Sequence, residues 1–215
     1  MTAPDFLGAL PAPSRQLVLD VARSRSYAPG DVLFRQGDEA TTFYLVQRGR
    51  VAIHFGTPAG DVVALTVLGP GAAFGELGLI IPRRERTASA LAVDDVTVRA
   101  LRQGDFERLR KSHPTVNEFL LSLMAKHLER STRTVAEVAY LPAARRVAGR
   151  VSDLVSGYAD PVVRMSQEEI ARLAATTRAT TNQALMRLQK DGVVTVRRQC
   201  IEVHNKTALR AYMGW

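Results

Sequence analysis

Two short runs hold most of the residues in this sequence whose types and spacing suit binding chemistry: Phe74-Gly75-Glu76-Leu77-Gly78-Leu79 and, with its arginine ten residues beyond Glu76, Arg86-Thr87-Ala88-Ser89-Ala90. A short helical turn that opens on a glycine can aim unpaired backbone amides at an anion, and a nearby arginine adds a charge-assisted, often two-pronged contact to a phosphate. A carboxylate such as Glu76 would repel that phosphate, but it is the acceptor that a sugar hydroxyl needs. Together the residues fit a ribose joined to a phosphate. A structural ion pair between Glu76 and Arg86 would account for the same two side chains, and their types alone leave both readings open.

A second set lies near the other end of the chain. Ser166 with Glu169 three residues on fits a capping box, in which the hydroxyl caps a free amide and the carboxylate reaches back. A short helix over Gln167 to Ala174, a small-residue turn over Ala174 to Thr177 and a second helix through Thr180, Ala184, Leu185 and Leu188 have the layout of a helix-turn-helix. Ile170, Leu173, Leu185 and Leu188 would pack the pair, leaving Thr177, Arg178, Thr180, Thr181, Asn182 and Gln183 at the exposed start of the second helix, where they can face a major groove. Gly192 then ends that helix, and Val193 to Val196, Arg197-Arg198 and Ile201 to Val203 read as strand, basic turn and strand, a wing. Gln167, Arg197 and Arg198 complete the candidate contacts to double-stranded DNA, and Arg178 is the leading base reader, since arginine suits guanine in a bidentate contact. The charge distribution agrees: of a formal net charge of +8, residues 142–215 carry +6 (12 Lys or Arg against 6 Asp or Glu) and residues 1–141 only +2.

Both sets must be held by folded elements, and the periodicity says which. Nine of the fifteen glycines fall between Gly30 and Gly78, punctuating the runs Asp31 to Phe34, Thr42 to Gln47, Arg50 to Phe55 and Asp61 to Leu68, with Val93 to Leu101 as a later strand. Short strands at turn-bounded intervals predict a compact antiparallel roll. After Gly104 the period changes. Ser112, His113 and Pro114 mark a helix start, and Val116, Phe119, Leu120, Leu123, Met124, Leu128, Val135 and Val138 recur at three- and four-residue steps. One helix of about 27 residues, about 40 Å long, ending near Tyr140 before Pro142, is predicted. A helix of that length with an apolar stripe packs against a copy of itself or against another domain. Ala143 to Ser156 gives a further helical pattern. The chain is therefore α+β, with a β-roll over residues 1–112, the long helix over 113–141 and a winged helix-turn-helix over 142–215.

The FGELGL run, the spacing to the arginine and the following TASA resemble the phosphate-binding cassette of the cyclic-AMP receptor and fumarate-nitrate regulator family of bacterial transcription regulators. Gly30-Asp31, Gln36-Gly37-Asp38, Phe43-Tyr44-Leu45-Val46 and Gly49 are similar to that family's roll, and the resemblance spans nearly the whole chain. It implies a cyclic-nucleotide-binding roll, a dimerisation helix and cyclic AMP as allosteric effector. Glu76 would accept from the ribose 2′-hydroxyl, while Arg86, Thr87 and the backbone of Gly75, Glu76 and Leu77 would hold the cyclic phosphate. On the long helix, Ser131 and Thr132 match a hydroxyl pair that meets the adenine, one of the two arriving from the partner subunit of a homodimer. One departure is His127, which stands where the family's cyclic-AMP receptors have an arginine near the ligand. In the helix-turn-helix, Ala179 and Gln183 replace a glutamate and a second arginine, so the expected half-site shares only the Arg178 base with those receptors' operator. RNA polymerase is the implied further partner, although the loop that would contact it, 157–164, is short here.

Other classes are disfavoured. His54, His113, His127 and His204 lack metal-ligand spacing, which argues against a metal enzyme, and the one cysteine, Cys200, suits a half-buried strand position rather than an iron-sulfur cluster. No apolar run of membrane length and no leader-like start is read, so a cytoplasmic protein is expected. Two alternatives remain: a regulator of the same fold that needs no effector, and a nucleotide-binding regulatory subunit without DNA binding.

Overall fold

The structure, a computed structural model, describes residues 6–9, 11–155 and 161–213. Two helices, α1 (Phe6–Ala9) and α2 (Ala12–Val21), precede strands β1 (Arg23–Tyr27), β2 (Val32–Phe34), β3 (Thr42–Arg48), β4 (Val51–Gly56), β5 (Val62–Leu68) and β6 (Ala73–Phe74). The short α3 (Leu77–Ile80) follows, then β7 (Ser89–Ala92) and β8 (Val96–Arg102). Helices α4 (Gln103–Ser112), α5 (Pro114–Tyr140) and α6 (Ala143–Val155) come next, and β9 (Val162–Val163), α7 (Gln167–Leu173), α8 (Arg178–Lys190), β10 (Val194–Arg197), β11 (Cys200–Val203) and α9 (Lys206–Ala211) complete the chain. The expected order of roll, 27-residue helix and winged helix-turn-helix is the observed one.

The roll consists of two four-stranded sheets, β1-β8-β3-β6 and β2-β7-β4-β5. β3 is the strand on which it turns, because its run Phe43-Tyr44-Leu45-Val46 is buried on both faces. Side chains alternate across a strand, so Tyr44 and Val46 join Val51, Leu68, Phe74, Val96 and Val98 in one apolar cluster. Phe43 and Leu45 point the other way, into a cluster with Val18 of α2, Phe106 and Leu109 of α4, and Val116, Phe119, Leu120 and Leu123 of α5. Sequence periodicity misses β1, whose residues Arg23-Ser24-Arg25-Ser26 are exposed and which pairs antiparallel with β8 at the sheet edge. It also starts β8 three residues early, at Val93.

The described residues gather into two compact units, one made of those up to Asp61 with Thr66–Glu129, the other of those from Arg130 onward with Val62–Leu65, and α5 runs from the first into the second. In the second, α6 buries Val147, Ala148, Val151, Leu154 and Val155, α7 buries Ile170 and Leu173, and α8 buries Ala184, Leu185 and Leu188. The wing is a three-stranded sheet, β10-β11-β9, with Cys200 half-buried at the start of β11. Among the described residues no helix is long and apolar enough to cross a membrane, and no three His, Cys, Asp or Glu side chains gather as a metal site.

α7 starts where the sequence places it. Ser166 Oγ accepts from the Glu169 amide at 3.2 Å, and the Ser166 amide donates to Glu169 Oε2 at 2.7 Å, so both halves of the capping box are made. Removing the hydroxyl leaves an uncapped helix start. Ser166→Ala should lower the unfolding free energy by about 1 kcal/mol in urea titration, with an unchanged m-value.

Candidate effector site and nucleic-acid interface

β6 pairs with β3 at Tyr44↔Phe74 and delivers the chain to Gly75 beside the middle of the roll. Gly75 has φ +84°, and a Cβ there would lie 2.7 Å from Arg86 Nη1 and 3.2 Å from the Thr42 carbonyl oxygen. Glycine is required at this position both by its backbone and by the room the arginine occupies.

Arg86 is 4% exposed. Its Nη1 donates to the Gly75 carbonyl at 2.9 Å and its Nη2 to the Thr42 carbonyl at 2.7 Å. The guanidinium carbon sits 4.1 Å from the centre of the Phe34 ring and 5.6 Å from that of Tyr44. Phe34 stacks on Tyr44 and Tyr44 on Phe74, with Phe34 tilted against Phe74, making an aromatic wall, and the ring faces attract the cation. The Arg86 backbone is pinned too, its amide donating to the Asp38 carbonyl at 2.8 Å and its carbonyl accepting from the Gly37 amide at 2.9 Å. Nε is buried without a hydrogen-bond partner. The site thus presents a fixed buried cation whose Nε–H is unused, a donor that an anionic phosphate oxygen can accept from. Phe34, Tyr44 and Thr42 are part of this site, and sequence reading did not single them out; the two aromatic residues carried the only signal, hidden in ordinary strand patterns.

Glu76, the N-cap of α3, is 2% exposed. Within 4 Å it faces His127 of α5, Nδ1 to Oε1 at 3.6 Å, rather than Arg86, so the structural ion pair allowed by the sequence is not what forms. Burial pushes the Glu76 carboxyl up to about 7, against the smaller downward pulls of its own backbone amide and of Arg86. The His127 side chain is 38% exposed. A ribose hydroxyl donating to Glu76 would favour the ionised form. Of the other cassette residues, Leu77 is half-buried at the start of α3 and Thr87 is exposed beside Arg86. Ser131 and Thr132 are exposed on the second half of α5.

In the helix-turn-helix, Thr177 is the N-cap of α8, accepting from the Thr180 amide at 3.2 Å, and the two hydroxyls lie 2.9 Å apart. Arg178, Asn182 and Gln183 are exposed on the first turns of α8, the end that a groove admits. Gln167 is half-buried at the start of α7. Arg197 and Arg198 are exposed at the tip of the wing, with Arg197 Nη2 3.8 Å from Glu202. Thr181 requires a correction. It was expected among the groove-facing residues but is fully buried, its Oγ1 without a partner, because the helical step from Arg178 turns it toward the face that packs Leu185 and Leu188.

A carboxyl near 7 in the folded chain and near 4.5 unfolded keeps a proton that the unfolded chain releases between those values. The cost of burying the ionised group is absent below pH 4.5 and complete above pH 7. For the ligand-free protein, unfolding free energy should therefore fall by up to about 3 kcal/mol between pH 5 and pH 7.5. Glu76→Gln, which carries no titrating group, should flatten that slope in urea titrations across this range.

Two segments of the chain match known protein families. Residues 24–113 match the cyclic nucleotide-binding domain and residues 145–212 the Crp-like helix-turn-helix domain. The chain is 32% identical over 207 residues to the cyclic AMP receptor protein of Thermus thermophilus, covering 96% of this chain and 95% of that one. It is also similar to the crystal structure of the Thermus thermophilus catabolite activator protein, at 31% identity and a TM-score of 0.54, covering 95% of this chain and 96% of that one. The c-di-GMP-responsive global regulator CLP of Xanthomonas campestris shares the fold, with a TM-score of 0.75 at 24% identity over 91% of this chain and all of that one. A buried arginine waiting beside a glycine cradle in a β-roll, followed by a capped helix pair with a basic wing, places the chain in the CRP family of cyclic-nucleotide-binding, helix-turn-helix transcription regulators, which are not enzymes.

Proposed function

We propose that this chain is a cytoplasmic, homodimeric regulator that binds cyclic AMP and, in that state, binds a roughly palindromic operator. The carrying observation is the buried Arg86, clamped by two carbonyls and the Phe34 ring with Nε unpaired. A cyclic nucleotide supplies one phosphate charge and a ribose 2′-hydroxyl. Arg86 and Thr87, with the backbone around Gly75, hold the phosphate, and Glu76 accepts from the hydroxyl. By the family resemblance, Ser131 and Thr132 are assigned to the adenine. The 32% identical relative named for cyclic AMP supports that nucleotide as the effector.

The dimer is supported by α5 itself. Leu121, Leu128 and Val135, seven residues apart, are 71%, 70% and 70% exposed, and Val138 continues the stripe. A seven-residue apolar repeat on an uncovered helix face is the pattern by which two helices pair. Two-fold symmetry then sets two copies of α8 on half-sites about one DNA turn apart, near 34 Å. An effector that favours the arrangement with both helices in register raises DNA affinity by population shift. RNA polymerase is the further partner proposed; of the segment 157–164, residues 157–160 lie outside the described residues.

Calorimetric titration with cyclic AMP, cyclic GMP and c-di-GMP, paired with duplex binding in the presence and absence of each, tests the reading. Cyclic AMP should bind tightest and should raise duplex affinity. Arg86→Ala should weaken cyclic AMP binding about a hundredfold, with Arg86→Lys retaining part of it. Preference for another nucleotide would overturn the effector assignment, and no nucleotide uptake with no duplex binding would overturn the whole. In site selection from random duplexes, Arg178→Ala should lose preference at one base per half-site at a cost of about 1–3 kcal/mol, and an unchanged site would remove Arg178 as its reader.

A further inference from the structure

Glu137 is a buried charge that neither the effector site nor the groove-facing surface uses. It lies near the C-terminal end of α5 and is 4% exposed. Arg133, one turn earlier, donates from Nε to its Oε1 at 2.8 Å, and Arg150 of α6 donates from Nη2 to its Oε2. Both carboxylate oxygens are therefore engaged by guanidinium groups, one from its own helix and one from the next.

The same arginine continues the connection. Arg150 Nε donates to the Leu173 carbonyl at 3.1 Å, and its Nη1 meets Asp153 Oδ2 at 3.0 Å. Arg146, one turn earlier on α6, donates from Nη1 to the Leu141 carbonyl at 2.7 Å, from Nε to Ala174 at 2.8 Å and from Nη2 to Ala175 at 2.9 Å. Leu173, Ala174 and Ala175 end α7 and begin the turn, where helix geometry leaves carbonyls without partners. The turn is itself strained at Ala175, whose φ of +49° is left-handed. Two residues beyond Ala175 stands Thr177, the N-cap of α8, and then Arg178. The last turns of α5 are thus tied by side chains to the joint between the two helices of the DNA-reading pair.

The physical consequence is stiffness. A buried carboxylate is tolerable only while both guanidinium contacts persist, and losing one strands a charge in the interior. Small rotations of α6 against α5 are resisted, so this region moves as a body. We propose, resting on the effector-controlled regulator described above, that Glu137 is a positioning residue: through Arg150 and Arg146 it makes the end of α5 and the start of α8 turn together, so that effector binding reaches Arg178.

Full-length Glu137→Gln tests this, with Arg150→Lys as a second variant that keeps the charge but cannot span Glu137 and the Leu173 carbonyl together. Cyclic AMP affinity is measured by calorimetry, and operator affinity by fluorescence anisotropy with and without cyclic AMP. Both variants should keep cyclic AMP affinity within about twofold while the nucleotide-induced gain in operator affinity falls about tenfold or more. A full gain in both variants overturns the proposal. So does an equal loss of operator affinity with and without nucleotide, which is what a merely structural role gives. If the wild-type chain binds cyclic AMP without any gain, the effector-controlled reading itself falls and takes the proposal with it.

Discussion

A guanidinium taken out of water has to be met on every side, and Arg86 is met without a carboxylate in ion-pair reach. Two carbonyls, from Gly75 and Thr42, take its Nη groups, and Phe34 covers its face. Neutral dipoles and ring faces hold the cation in place but leave its charge uncancelled, so the interior of the roll is prepared for an anion. The rest of the roll follows from this constraint. Gly75 has to lack a side chain, Phe34, Tyr44 and Phe74 have to stack, and β3 has to be buried on both faces to bring Thr42 and Tyr44 to the same guanidinium.

Glu76 shows the complementary choice. It sits near that uncancelled charge, yet burial rather than Arg86 dominates its titration, and the side chain beside it is a half-exposed histidine. The carboxylate is therefore poised where a hydroxyl donor can decide its state.

Helix α5 serves two masters along its length. Its first half contributes Val116, Phe119, Leu120 and Leu123 to the core of the roll, while Leu121, Leu128 and Val135 stand outward at a coiled-coil interval. Toward its end the buried face is no longer apolar, and the buried contact is the charged one at Glu137. Apolar packing is non-directional and tolerates sliding, whereas forked guanidinium bonds fix angle as well as distance. The packing of α5 thus changes along one helix from apolar contact to directional bonds.

Much of this was legible beforehand, because it depends on local rules. The capping box at Ser166, the 27-residue span of α5 and the turn between α7 and α8 are set by neighbours a few residues apart, and the order of types in FGELGL and RTASA is a linear signal. The sequence by itself therefore determined the succession of elements and the cassette. What only the tertiary structure decided are the pairings between distant residues: Arg86 with Thr42 and Phe34, Glu76 with His127, and Glu137 with Arg150. The inward turn of Thr181 belongs with them, since its helical position was plain but the face that α8 buries was set by what packs against it. Periodicity fixes where a side chain lies on its own element; which partner meets it depends on how elements far apart in the chain come together to exclude water.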